Sequence, residues 1–173
     1  RQRQMCIRDR LRTMPETILN WGNDNSEIDN WLIARLKQRV AEFNQAMDTY
    51  DLRRAVEISH YELIKDINWY TRRGGNNSTV GRTILESWTY LISVSTPHLA
   101  EEWGRCLGWQ QMVSASQMKN VEPVTSAEEN LLDYEFTMRN VLENARKVKT
   151  IAQKHLGGAV SYTHLTLPTK SSG

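Results

Sequence analysis

Glu27–Asp48 reads EIDNWLIARLKQRVAEFNQAMD, with apolar residues at Ile28, Leu32, Leu36, Val40, Phe43 and Met47. The steps are four or three residues, the interval that stacks side chains on one face of an α-helix. Arg35, Lys37, Gln38, Arg39 and Glu42 fall mostly off that face. One apolar stripe predicts a helix that must pack against a core. Its start is marked as well. Ser26 followed by Asp29 is a variant of the capping box, in which the acid reaches back to unpaired N–H groups.

The same pattern repeats outward from this segment. Upstream, Leu11–Trp21 is a short helix containing Pro15, and Asn23–Ser26 is a turn. Downstream, Leu52–Arg73 carries a stripe of Leu52, Val56, Ser59, Leu63, Ile67 and Tyr70, and Gly74-Gly75-Asn76-Asn77 ends it. Thr79–Val94 is a fourth helix, with Val80, Ile84, Trp88 and Leu91 or Ile92 inward. Thr96-Pro97 then restarts the chain. Thr96 suits the N-cap, and Pro97 suits the first helical position because it has no N–H to leave unpaired. Glu101 and Glu102 lie near the positive end of this short helix; Leu99, Trp103 and Leu107 pack, and Gly108 stops it.

Trp109–Thr125 shows no period and is a connection. Ser126 with Glu129 is a second capping box, opening a helix over Ala127–His155. Its expected stripe is Leu131, Tyr134, Met138, Leu142, Ala145, Val148 and Ala152, with Gly157-Gly158 as its cap. No segment reads as a strand, and no repeat of solenoid period is present. The expectation is an all-α protein, an antiparallel helical bundle of one domain.

Arg1–Arg10 (RQRQMCIRDR) and Ala159–Gly173 (AVSYTHLTLPTKSSG) stand apart from this pattern. Both strings look like translated sequencing-adaptor read-through and are set aside, leaving residues 11–158 as the domain. The charge balance changes with them. The whole chain has 22 Lys+Arg and 20 Asp+Glu, a net +2. The first string holds four Arg and one Asp and the second one Lys, so the remainder has 17 basic and 19 acidic residues, or −2. Net charge therefore gives no support for nucleic-acid binding, and any such contact must come from local patches.

Several chemistries are excluded. There is no apolar run of ~18 residues to span a membrane and no signal-peptide core. No Gly-rich phosphate loop, nucleophile elbow or His-Glu-x-x-His occurs, and no Cys/His spacing suggests zinc. Cys106 reads as a small core residue and His98 as a helix-start histidine satisfied within the bundle. Of the six tryptophans, Trp88 and Trp103 sit on apolar stripes and belong in the core, while Trp69 stays open as a stacking platform. Three basic clusters remain: Arg53-Arg54, Arg72-Arg73, and Arg146-Lys147 with Lys149 and Lys154. The plainer account of each is a solvated helix face. The sharper account is phosphate contact, and Arg72 and Arg73 suit it best, at a helix end beside a glycine turn.

Two strings carry the reading further. Ile28–Leu36 (IDNWLIARL) resembles the "D-x-W-[LI]-x-x-R-L" opening of the helical domain that follows the catalytic core in class I aminoacyl-tRNA synthetases for leucine, isoleucine, valine and methionine. Thr96–Trp103 (TPHLAEEW) resembles that domain's "[TC]-P-H-[LI]-[AT]-E-E-[LI]-W" string, lacking the residue before the Trp. Between them, Leu52-Arg53-Arg54-Ala55 and Asp66–Gly74 (DINWYTRRG) look like the archaeal and eukaryotic cytosolic leucyl form. Ala145–Ala152 is similar to the family's "I-x-x-I-x-K-V-A-K" helix.

The resemblance implies an anticodon-binding-type fold from a cytoplasmic leucine–tRNA ligase, whose parent chain joins leucine to tRNA with ATP. It implies no catalytic residue, metal or cofactor in this chain, since the His-Ile-Gly-His and Lys-Met-Ser-Lys-Ser motifs of the parent's core are missing from it. The implied partners are leucine tRNA and the catalytic core of the same parent chain. Arg72, Arg73, Arg146, Lys147 and Lys149 are the candidate phosphate contacts. The rival readings are the same domain from an isoleucyl or valyl enzyme, which the Trp69-Tyr70-x-Arg72-Arg73 run disfavours, and a free-standing helical interaction module. The latter fits the −2 balance but leaves the paired strings unexplained.

Overall fold

The computed structural model describes residues 7–155, which are mostly helical. The order is α1 (Ile7–Leu19), β1 (Asn23–Asp24), α2 (Glu27–Asp48), α3 (Leu52–Glu57), a π-helical turn (Ile58–Glu62), α4 (Leu63–Arg72), β2 (Asn76–Asn77), α5 (Ser78–Ser93), α6 (Pro97–Cys106), a 3-10 turn (Val113–Ala115) and α7 (Ser126–His155). Gly157-Gly158, the string Ala159–Gly173 and Arg1–Cys6 lie outside the described residues. The chain divides into two compact units, Arg1–Asp133 and Tyr134–Gly173.

The first unit is an all-α bundle. α2 packs against α3, α4 and α5, and α5 also meets α1 and α6. The stripe expected of α2 is where its core residues lie: Ile28, Leu32, Leu36, Val40 and Phe43 are all buried. α5 adds Ile84, Leu85, Trp88, Leu91 and Ile92. Trp88 and Trp103 meet edge to face, their rings 5.1 Å apart at 87°, the geometry that sets the positive edge of one ring on the negative face of the other. Trp69, left open by the sequence, is buried, so it stacks on no ligand.

The helix expected over Leu52–Arg73 forms as one rod with a π-helical turn inside it. The Leu63 N–H reaches back five residues to the Ile58 carbonyl. The wide turn leaves the Ser59 carbonyl able to accept a 2.6 Å hydrogen bond from Trp88 Nε1. It also adds a residue to the turn and shifts the apolar face. Leu52, placed on the stripe by its spacing, is therefore exposed, while Ile58 and Ile64 are buried.

Charge enters the interior where the sequence put it on a surface. Arg39 is buried, because Asp66 on α4 lies 2.8 Å from its Nε and Glu42 2.9 Å from its Nη1, with Glu62 in contact as well. Arg35 Nε lies 3.4 Å from the same Asp66 carboxylate. Arg54 bridges Glu42, Glu57 and Glu62, which removes half of the Arg53-Arg54 cluster from any outside partner.

Other expectations are corrected. Asn23–Ser26 is more than a turn, since Asn23 and Asp24 pair antiparallel with Asn77 and Asn76. Cys106 is exposed, at the last residue of α6 and off the face that buries Leu99 and Trp103. His98 is exposed too. Thr96 is the N-cap residue of α6, but its hydroxyl turns back to the Ile92 carbonyl at 3.0 Å. Glu101 serves the next turn, accepting from the Val113 and Ser114 N–H groups; Glu102 pairs with Arg12 at 3.3 Å. The second capping box starts one residue early. The Thr125 N–H donates to Glu128 at 2.8 Å, and Glu128 also takes Lys37 at 2.7 Å.

The second unit is a single helix over its described residues. Tyr134, Leu142 and Val148 of the expected stripe are exposed there, because a lone helix has no second element of its own to cover an apolar face.

Candidate nucleic-acid interface

The corner after α4 begins with Tyr70, whose side chain is fully buried while Arg72 and Arg73 are exposed. α4 closes by a tight return. The Arg73 N–H donates to the Trp69 and Tyr70 carbonyls, Gly74 to Thr71 and Gly75 to Tyr70. Gly74 takes φ +86°, and nothing crowds the place of its missing Cβ; it supplies the left-handed cap at no steric cost. Gly75 has a different reason. A Cβ there would come within 2.2 Å of the Tyr70 ring.

Below this corner lies a polar knot. Tyr70 Oη donates to Asp29 Oδ1 at 2.6 Å and accepts from the Asn77 N–H at 3.1 Å. Asn77 Nδ2 donates to Asp29 Oδ2 at 2.8 Å and to Asn25 Oδ1 at 2.9 Å. The Ser26 N–H donates to Asp29 Oδ2 at 3.1 Å, the half of the capping box that the sequence foresaw. Asn77 Oδ1 meanwhile caps α5 through the Thr79 N–H at 3.0 Å. Burial and the Asp29 carboxylate raise the Tyr70 hydroxyl far above its ordinary pKa, so it stays a donor. Trp21 closes the knot, its ring 5.1 Å from that of Tyr70.

The β1–β2 pair ties the corner to the entry of α2. The Gly22 N–H donates to Asn76 Oδ1 at 3.0 Å, the Ser78 N–H to the Gly22 carbonyl at 2.7 Å and Ser78 Oγ to Asn23 Oδ1 at 2.7 Å. The partners are Gly22, Asn23, Asn76 and Ser78, so the turn composition that reads only as a loop is what fixes the corner. Sequence reasoning had Asp29 as a cap alone and missed its junction with Tyr70 and Asn77, which no local spacing announces.

The remaining candidates sit on α7, in the second unit. Arg146, Lys147 and Lys149 are all exposed, and Thr150 Oγ1 folds back on the Arg146 carbonyl at 2.9 Å. The five candidates thus form two groups, one in each unit. Among the described residues Arg72, Arg146 and Lys147 form no ion pair, so their guanidinium and ammonium groups are available to an anion.

Among the described residues no group of three or more His, Cys, Asp or Glu side chains is placed to hold a metal ion. No described helix is long and apolar enough to cross a membrane. A groove of about 480 Å³ over α2 and α5 is lined by apolar Ile33, Leu36, Tyr90 and Trp109 together with Glu86 and Lys119.

Comparison with known proteins gives one answer. The family model described as the anticodon-binding domain of tRNA ligase matches residues 29–160. A leucine–tRNA ligase of Methanococcus vannielii is 37% identical over 128 residues, which cover 74% of this chain and 13% of that protein. The leucine–tRNA ligase of Methanocaldococcus jannaschii is 34% identical over 132 residues, 76% of this chain and 14% of its own. That of Archaeoglobus fulgidus is 31% identical over 134 residues, 78% of this chain and 14% of its own.

Proposed function

The chain belongs to the family of anticodon-binding domains of tRNA ligases, and from that premise we propose that it is the tRNA-holding helical domain of a leucine–tRNA ligase. The chain spans only 13 to 14% of the length of the three relatives named above. Catalysis, the use of ATP and the joining of leucine to tRNA are assigned to the remainder of the parent chain, in the cytoplasm. This piece alone is assigned no ligase activity. Its part is to grip the tRNA backbone and brace the catalytic core.

The observation that carries the reading is the corner at Arg72 and Arg73. Two adjacent arginines stand exposed at the end of a helix whose next inward residue, Tyr70, is locked to Asp29 and Asn77. A rigid mount lowers the entropy lost when an arginine fork meets a phosphate. Arg146, Lys147 and Lys149 on α7 are proposed as the second set of backbone contacts.

Titration of the chain with a leucine tRNA transcript tests this. Affinity should fall as salt rises, and each of Arg72→Gln, Arg73→Gln, Arg146→Gln, Lys147→Gln and Lys149→Gln should flatten the slope of log K against log salt by up to about 0.9. Binding that ignores salt, or that survives all five changes together, would reject these contacts.

A further inference from the structure

α7 carries an apolar face that its own unit does not cover. Tyr134, Val141 and Val148 follow one another at steps of seven residues, as do Met138, Ala145 and Ala152. Two such rows, offset by four and three residues, make the narrow seam of a coiled coil and not the wider face of a helix set into a globular core. Tyr134, Val141 and Val148 are each more than half exposed, and Ala145 is exposed as well. Leu142 and Ile151 border the seam, one on each side, and are exposed too.

The charges along α7 decide what suits this seam. Glu128, Glu129, Asp133 and Glu135 lie in its first part with no base among them, and Arg146, Lys147, Lys149 and Lys154 in its last part with no acid. Between these parts Arg139 and Glu143 pair within the helix at 3.6 Å. Two copies laid in the same direction set acid beside acid and base beside base. Laid in opposite directions, they set the acidic part of each along the basic part of the other, the complementarity that favours association.

Side-chain size agrees with the antiparallel arrangement and fixes its register. With a two-fold axis at the level of Glu143, Tyr134 faces Ala152 of the second copy, Met138 faces Val148 and Val141 faces Ala145. Each of these layers sets a larger side chain against a smaller one, which lets the two faces interdigitate. At the axis Leu142 meets its own counterpart on one side of the seam, and Asn144 meets its own on the other. Asn144 is exposed, and its amide holds both a donor and an acceptor, so two copies bond reciprocally. A shift of one heptad sets Asn144 against Ile151 or Thr137 and loses that pair.

We propose that α7 joins two copies of this chain as an antiparallel, two-fold symmetric helix pair running from Tyr134 to Ala152. The seam covers fewer than three heptads, so the pairing is reversible and depends on concentration. Arg146 and Lys147 fall at positions turned away from the seam, and the pairing leaves those two candidate phosphate contacts exposed.

Sedimentation equilibrium of the full 173-residue chain should show a monomer–dimer equilibrium. Val141→Lys puts a charge into the layer nearest the axis and should raise the dissociation constant about tenfold or more. Phe136 is as exposed as Val141 on α7 but lies off the seam, so Phe136→Lys should leave that constant unchanged. Both are exposed positions, and circular dichroism should show the same helix content in both variants. Orientation is read by cross-linking with a short bismaleimide, in a chain whose Cys6 and Cys106 are replaced by serine. Asn144→Cys should be joined between copies. Val148→Cys should not, because its two copies lie about 15 Å apart along an antiparallel pair. Equal weakening by Phe136→Lys, or cross-linking through Val148→Cys and not through Asn144→Cys, would overturn the proposal. So would a chain that stays monomeric at every concentration, which would leave the seam to a helix of other sequence.

Discussion

Tyr70 Oη lies 2.6 Å from Asp29 Oδ1 and joins the last turn of α4 to the first turn of α2. One carboxylate thereby serves three tasks: it caps α2, anchors the tyrosine and, through Asn77 Nδ2, holds the start of α5. The three helix ends share a single buried node, so they are positioned together.

Tyr70→Phe should expose how much depends on that node. The ring stays, but Asp29 Oδ1 and the buried Asn77 N–H each lose their partner. Leaving such groups unpaired costs about 1–3 kcal/mol apiece where water cannot replace the bond. Urea unfolding should show a loss of about 2–4 kcal/mol with an unchanged m-value. A loss well under 1 kcal/mol would mean the knot is not what fixes the corner.

The Arg39–Asp66 pair makes a second test, because its worth depends on what is left behind. Arg39→Met abandons a buried carboxylate with only Arg35 near it, at 3.4 Å from one oxygen. Removing one partner of a buried pair costs about 3–5 kcal/mol. Arg39→Met with Asp66→Leu removes both charges and should be less damaging than Arg39→Met alone. Calorimetry of these two variants and of Asp66→Leu decides it, and a double variant as unstable as the sum of the two single ones would show that the charges do not act as a pair.

Most of the bundle is legible in the sequence because its signal is periodic. The stripe of α2 needs only the spacing from Ile28 to Phe43, and the motif at Pro97 fixes where α6 begins. What escapes is long-range or out of period. The π-helical turn at Ile58–Glu62 interrupts a pattern that assumes one pitch throughout, which is how Leu52 was misplaced. Arg39 reads as a surface residue until Asp66, from another helix, is known to face it. The Arg72-Arg73 pair was visible as a basic dipeptide at a helix end, but the lock beneath it spans Asp29 and Asn77 and has no local spacing.

Trp88 and Trp103 offer a matched comparison. Both are fully buried and packed on each other, so replacing either by Phe removes the same atoms. Trp88 Nε1 donates to the Ser59 carbonyl at 2.6 Å, whereas Trp103 Nε1 has no partner. Trp88→Phe should therefore be more destabilising than Trp103→Phe by about 1–2 kcal/mol. Equal losses in thermal unfolding would show that the bond freed by the π-helical turn contributes nothing net.

His60 gives the protein an acid-side dependence whose sign follows from its surroundings. It lies buried in the π-helical turn, with Ser59 Oγ 2.9 Å from Nδ1 and Thr96 Oγ1 3.4 Å from Nε2. Burial holds its pKa below the ordinary histidine value, against a weaker opposing bond to the Val56 backbone. Above the unfolded value, about 6.5, neither state carries the extra proton and the group costs nothing. As pH falls below that, the unfolded chain takes a proton that the folded chain resists, so stability declines until the lowered folded pKa is passed. The measurement is urea unfolding at steps between neutral and mildly acid pH. The parent chain should lose stability over that window, and His60→Gln should lose less. An identical slope in both would remove His60 as the source, and Glu128 acts outside that window. The bond to Lys37, with that to the Thr125 N–H, holds Glu128 down at about 2, so its contribution is lost only at lower pH, below the ordinary carboxylate value.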